Sequence, residues 1–281
     1  MADFIFTSGT CAKSDLYSTI INAFVSAGWT NVSSNPTVDF DVLQSPSEAG
    51  GRLLTIQLRA TNATNVNSIV TTDNNAMAYR LVESYTPGTA GAAGTFGRPV
   101  SEAWNLIYVV PTATAVSMNT MLTYFISVNK NRMIIVIETP PATTLAPVIH
   151  YIGLPDTLYT AEAGSRGVLV ATTFGARSAT TVHVSNAPSE LASEAVSSVR
   201  TVYCLLAPRN PNAAGLYSLS DMKYGSTAES YRGKLSGLYA LPSGNVNNGD
   251  VITQGAKKYR VTVAAPGTTS FPTTVFAIQI E

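Results

Sequence analysis

The stretch MLTYFISVNKNRMIIVIE, Met121 to Glu138, decides how the rest of the chain is read. Two runs rich in β-branched, aromatic and aliphatic residues flank Asn129-Lys130-Asn131, a polar trio suited to a tight reversal. That pattern predicts an antiparallel hairpin. Working outward, strand signals dominate on both sides. RLLTIQLRA (52–60) sets Leu54, Ile56 and Leu58 against Thr55, Gln57 and Arg59, the alternation of a strand with one buried face. EAWNLIYVVP (102–111) reads as a further strand closed by Pro111. After the hairpin, GVLVATT, TTVHVS, RTVYCLLAP, KYRVTVA and TVFAIQI follow as short strands.

One helix stands out near the start, in SDLYSTIINAFVSAGWTN (14–31). Leu16, Ile20, Phe24 and Ala27 recur on one face, flanked by Ile21 and Val25. Ser14 is placed to cap it, Asp15 favours its positive end, Gly28 supplies a left-handed stop, and Trp29 can fold back on the last turn. A second helix is expected in APSELASEAVSSVRTV (187–202). The fold class is therefore α+β and β-rich: antiparallel sheets, an N-terminal amphipathic helix packed on a sheet, and a small C-terminal β unit. In that unit Gly249-Asp250 turns the chain into a strand, KKYRVTV pairs with it, and the run from Thr274 to Ile280 completes a sheet of its own subunit or adds to a neighbour's. Pro and Gly in IHYIGLPDTLYTAEAG (149–164) place a boundary between an N-terminal α+β domain, 1–155, and a β-rich domain, 156–281.

Composition narrows the function classes. The 281 residues carry 17 Lys plus Arg and 17 Asp plus Glu, only 12% charged in all. No net field holds nucleic acid by counterion release, and weak repulsion between copies suits a subunit that lives in an assembly. Two cysteines, Cys11 and Cys204, are too few for a disulfide framework and lack metal-ligand spacing. The N-terminus has no basic start followed by a long apolar run, so a soluble protein made in a cytoplasm is expected, with no membrane partner.

Chemistry-bearing motifs are scarce. His150 and His183 sit in strand-like runs without a metal or triad pattern, and Cys204 is flanked by apolar residues. RGKLSG (232–237) lacks the upstream glycine spacing of a phosphate loop. Asp39 and Asp41 would share one face of a strand, and Glu190 and Glu194 one face of a helix; solvated acids are the default reading. No catalytic residue, cofactor or metal is expected. Contact surfaces are the remaining candidates. Tyr217, Tyr224, Tyr231 and Tyr239 punctuate a polar segment and combine an apolar face with a polar tip, which suits an interface or a sugar site and equally a half-buried place in a strand. The Gly- and Ala-rich stretch YTPGTAGAAGTFGRP (85–99), with Tyr85 and Phe96, has little to pack and reads first as a loose surface loop; in an assembly it would order against a neighbour.

The order of these pieces carries a resemblance. A helix ending in SAGWT leads to SEAGGRLLTIQLRAT, then to MLTYFISVNKNRMIIVIE, then to HYIGLPDTLY, and the chain closes on GDVITQGAKKYRVT and FAIQIE. This resembles the virion structural proteins of tailed bacteriophages, from tail, neck or baseplate. The resemblance implies a non-enzymatic subunit of a connector, terminator, collar or baseplate, located in the virion and synthesised in the bacterial host cytoplasm. Its partners would be copies of itself in a symmetric ring and other virion proteins, such as tube, sheath, connector or baseplate subunits. Tyr85, Phe96, the four tyrosines above, Phe276, Ile278 and Ile280 would then be interface residues. The alternatives are a receptor- or carbohydrate-binding module using the tyrosine segment and, third, a cell-wall hydrolase with acidic catalysts.

Overall fold

The computed structural model describes residues 4–46, 53–60, 75–82, 84–97, 105–110, 115–138, 147–154, 156–157, 169–174, 182–185, 199–200, 219–226, 230–241, 246–265 and 274–281. In chain order the first half contains β1 (Ile5–Ala12), α1 (Leu16–Ser26), β2 (Thr30–Asn31), β3 (Asp41–Gln44), β4 (Thr55–Ala60), β5 (Asn75–Val82), β6 (Tyr85–Thr86), β7 (Thr95–Phe96), β8 (Asn105–Tyr108), β9 (Met121–Val128) and β10 (Arg132–Glu138). The second half contains β11 (Val148–Gly153), β12 (Asp156–Thr157), β13 (Leu169–Phe174), β14 (Val182–Ser185), β15 (Val199–Arg200), β16 (Ser220–Ser226), β17 (Ser230–Leu241), β18 (Val251–Gln254), β19 (Lys257–Ala265) and β20 (Thr274–Gln279). The protein is β-rich, its sheets are antiparallel, and α1 is one short helix.

The β9–β10 hairpin lies in a six-stranded sheet of order β1-β9-β10-β11-β13-β14. Its turn is closed by Asn129, whose Oδ1 accepts the Asn131 and Arg132 amides at 2.8 Å each. In β10 the side chains divide by parity. Met133, Ile135 and Ile137 join one buried cluster and Ile134 and Val136 join another, so both faces of the strand are covered. This explains why RMIIVIE is apolar throughout: a strand buried on both sides has no polar face to alternate with. The sheet also takes strands from both sides of residue 155, so the division expected between 1–155 and 156–281 cuts through it.

On one face, Leu16, Ile20, Ala23 and Phe24 of α1 share a cluster with Ile56 and Leu58 of β4, Met77 and Tyr79 of β5, and Leu122 and Ile126 of β9. A five-stranded sheet, β2-β3-β4-β5-β8, supplies the far side of that layer. The helix ends as its sequence dictates. Gly28 adopts φ +88°, the Trp29 amide reaches back to the Phe24 carbonyl at 3.1 Å, and the two rings meet edge to face at 4.8 Å. Its start differs from expectation. Lys13–Asp15 form a 3-10 turn, Ser14 bonds the Asp15 carboxylate rather than capping, and Ser18 and Thr19 donate to the Asp15 carbonyl.

On the other face, Ile134, Val136, Ile149 and Tyr151 pack on Met222, Leu235, Leu238, Phe276 and Ile278 of a seven-stranded sheet. Its main order is β15-β16-β17-β20-β19-β18, with β12 beside β17. The C-terminal strand β20 therefore sits between β17 and β19 of its own chain, and is not an edge offered to a neighbour. The small unit formed by β18, β19 and β20 is part of this larger sheet. Of the expected helix at 187–202, Val199–Arg200 form the strand β15 and the rest lies outside the described residues, as do Glu190, Glu194, Cys204 and Tyr217. RGKLSG is strand, inside β17.

Candidate functional site

β4 departs from its sequence pattern, and the departure leads to the most elaborate polar site. Thr55, Gln57 and Arg59, expected to face water, are buried. The loop around Asp39 covers this second face. Gln57 Nε2 donates to the Asp39 carbonyl at 2.7 Å, Arg80 Nε donates to Gln57 Oε1 at 2.5 Å, and the Arg59 guanidinium lies 5.3 Å from the Phe40 ring centre. Phe40 takes φ +61°, which breaks the strand between the two aspartates and sends them to different partners. Asp41 accepts from Tyr17 Oη and from Asn31 Nδ2. Asp39, 1% exposed, turns inward.

The Asp39 carboxylate holds the stretch expected to be a loose loop. β6 and β7 form a two-stranded hairpin, with the Tyr85 and Phe96 rings 4.8 Å apart and the Arg80 guanidinium 5.5 Å from the Phe96 ring centre. Asp39 Oδ2 accepts from Tyr85 Oη at 2.7 Å, from the Gly94 amide at 2.9 Å and from Ser34 Oγ at 3.0 Å. Ser34 Oγ in turn accepts the Gly88 amide at 2.8 Å. Burial works to raise the Asp39 pKa, but donors from Gly94, Tyr85, Ser34 and the Asn35 backbone outweigh it and hold the carboxyl below its ordinary range. The hairpin base is thus fixed from within the chain, while Thr89 to Ala93 at its tip are exposed and carry no charge.

A second group of polar contacts ties the six-stranded sheet to the seven-stranded one. Arg260 Nη2 donates to Glu138 Oε1 at 2.5 Å, and its guanidinium stacks 3.5 Å from the Phe125 ring centre. Asn248 Nδ2 donates to the same Glu138 oxygen at 2.9 Å. Further along, Arg132 is buried against two glycines. It pairs with Gly153 across the β10–β11 ladder, and a methyl group added at Gly237 would collide with its guanidinium. Burial lowers the Arg132 pKa, opposed by Tyr151, Tyr239 and Asp156 nearby. These contacts secure sheet packing.

The residues expected at interfaces divide sharply. Tyr85 is buried on Asp39, Phe96 is half-buried beneath Arg80, and Phe276 and Ile278 are core residues of the seven-stranded sheet. Ile280 is partly buried beside them. Tyr239 packs edge to face on Tyr259 at 5.1 Å. Tyr224 and Tyr231 take places in β16 and β17, opposite Gly233 and Gly225. Among those whose side chains are described, Tyr85, Tyr239 and Phe276 lie in separate parts of the fold: on Asp39, against Tyr259, and in the core beneath Ile134 and Val136. His150 is fully buried in β11, where it faces Ile135 and Thr173 in register. Among the described residues no helix is long and apolar enough to cross a membrane. No family model matches the sequence, and no curated protein is detectably similar to it.

Proposed function

We propose that the chain is a non-enzymatic structural subunit of a tailed bacteriophage particle, in the neck, as connector, terminator or collar, or in the tail or baseplate. The observation that carries this reading is the hairpin spanning β6 and β7. Its base is locked by the buried Asp39, and its tip, Thr89 to Ala93, is small, uncharged and exposed. An element ordered before its partner arrives loses little conformational entropy on docking, which is what a contact made many times over in one particle requires. The order of sequence features and the 12% charge content support the same reading.

Quantitative mass spectrometry of gradient-purified tailed particles, from the lysate in which the chain is made, tests the proposal. The expected result is a fixed copy number in intact particles. Recovery only from the soluble fraction, with none in particles, would remove the proposal. The hairpin tip gives a second readout. Thr89→Arg with Ala92→Asp is expected to lower incorporation about tenfold, equivalent to ~1.4 kcal/mol at a docking contact, without changing the melting temperature.

A further inference from the structure

The six-stranded sheet begins at β1, and among the described residues β1 pairs with β9 alone; no other backbone hydrogen bond of those residues reaches Ile5 to Cys11. Eight residues of open edge are a ready template for another strand, and proteins usually blunt such edges with charge, proline or a bulge. β1, IFTSGTCA, has no charge and no proline, and its register on β9 is unbroken from Ile5–Val128 to Ala12–Met121. Exposed apolar side chains flank it: Ile5 at 39% on one end, and Met121 at 52% with Met118 at 36% on the other.

We infer that the β1 edge is a pairing surface for the β1 strand of a second copy of this chain, joined antiparallel about a two-fold axis normal to the sheet. Such an axis keeps each sheet face on its own side and sets a residue opposite its own copy. With the axis at Ser8, Thr7 meets Gly9, Phe6 meets Thr10 and Ile5 meets Cys11. With the axis at Gly9, Ser8 meets Thr10, Thr7 meets Cys11 and Phe6 meets Ala12. In either register only hydroxyl-bearing, apolar or small side chains meet, and no like charges oppose each other. The equal counts of 17 basic and 17 acidic residues leave no net repulsion between the copies. The contact is isologous, the commonest kind in homo-oligomers. It deepens the assembly reading by naming one contact and rests on that reading for its place in a particle.

Sedimentation equilibrium of the purified full chain tests it, comparing wild type with Ser8→Lys/Thr10→Lys. Both side chains are exposed, so the fold should persist, with an unchanged far-ultraviolet spectrum and melting temperature. Ser8→Asp/Thr10→Asp repeats the test with the opposite charge. The expected result is a wild-type dimer, or a multiple of it, at tens of micromolar, and at least a tenfold weaker association in both variants. A monomeric wild type at 100 micromolar overturns the second copy as occupant and leaves the edge to a strand of another chain. Variants that associate as tightly as wild type overturn the edge assignment, while the chain's presence in particles remains a separate measurement.

Discussion

Asp39 is the residue on which the hairpin hangs, and its removal should be felt there first. Asp39→Ala removes the acceptor of the Gly94 amide and leaves the Tyr85 hydroxyl only Ser34 Oγ to bond, and a loss of about 3 kcal/mol is expected in denaturant unfolding. Proteolysis between Thr89 and Ala93 should accelerate in step, which an unrelated destabilisation would not cause. The pH dependence follows from the sign of the shift. Because the folded-state pKa of Asp39 is depressed, its contribution is complete above the unfolded value of about 4 and is lost as pH falls through the folded value. Asp39→Asn should therefore flatten the acid limb of the stability profile. Tyr17 behaves in the opposite sense. Burial, and then the Asp41 carboxylate, raise its pKa, so its contribution is complete below about pH 10 and is lost as pH rises toward the folded value. Tyr17→Phe should cost about 1 to 2 kcal/mol at neutral pH and reduce the alkaline loss. Asp39 was not legible as a buried anchor from sequence, nor Asp41 as the partner of Tyr17. Asp39 and Tyr85 are 46 positions apart, and the left-handed turn at Phe40 that separates the two aspartates occurs at a residue with no local signal for it.

At the level of elements, the hairpin from Met121 to Glu138 and the helix from Leu16 to Ser26 were legible because their patterns are local: an Asx-type turn between two apolar runs, and one apolar face closed by Gly28. What could not be read was which strands are covered twice. Gln57 and Arg59 look solvent-facing by alternation, but they are satisfied by the Asp39 carbonyl through Gln57 and by the Phe40 ring beneath Arg59. β20 was likewise read as ending a small unit, whereas its pairing with β17 links residues far apart in sequence. Two tests belong here. Gly237 holds φ +81° against the Arg132 guanidinium, so Gly237→Ala combines backbone strain with overpacking and should cost about 3 kcal/mol. Combining it with Arg132→Ala should cost less than the sum of the two single changes, which a double-mutant cycle would measure. Deleting Thr274 to Glu281 removes an interior strand and the buried Phe276 and Ile278, and should leave the protein insoluble or unfolded by circular dichroism. A folded, soluble truncation would contradict the placement of β20.

At the scale of the whole molecule, the three larger sheets of the described residues are joined through two apolar layers, and buried charges such as Arg132, Arg260 and Asp39 serve packing. The two contacts proposed for it, the uncharged hairpin tip and the β1 edge, lie at the periphery. A body of this kind is suited to transmitting position from one neighbour to the next, and its exposed contacts should depend little on salt because neither carries charge. If the chain does its work as a part of a particle, immunogold electron microscopy of purified tailed particles, with antibody raised against the chain, will place gold at one axial position, at the neck, along the tail or at the baseplate, on most particles. Particles free of label under conditions where the purified chain is labelled would contradict that role.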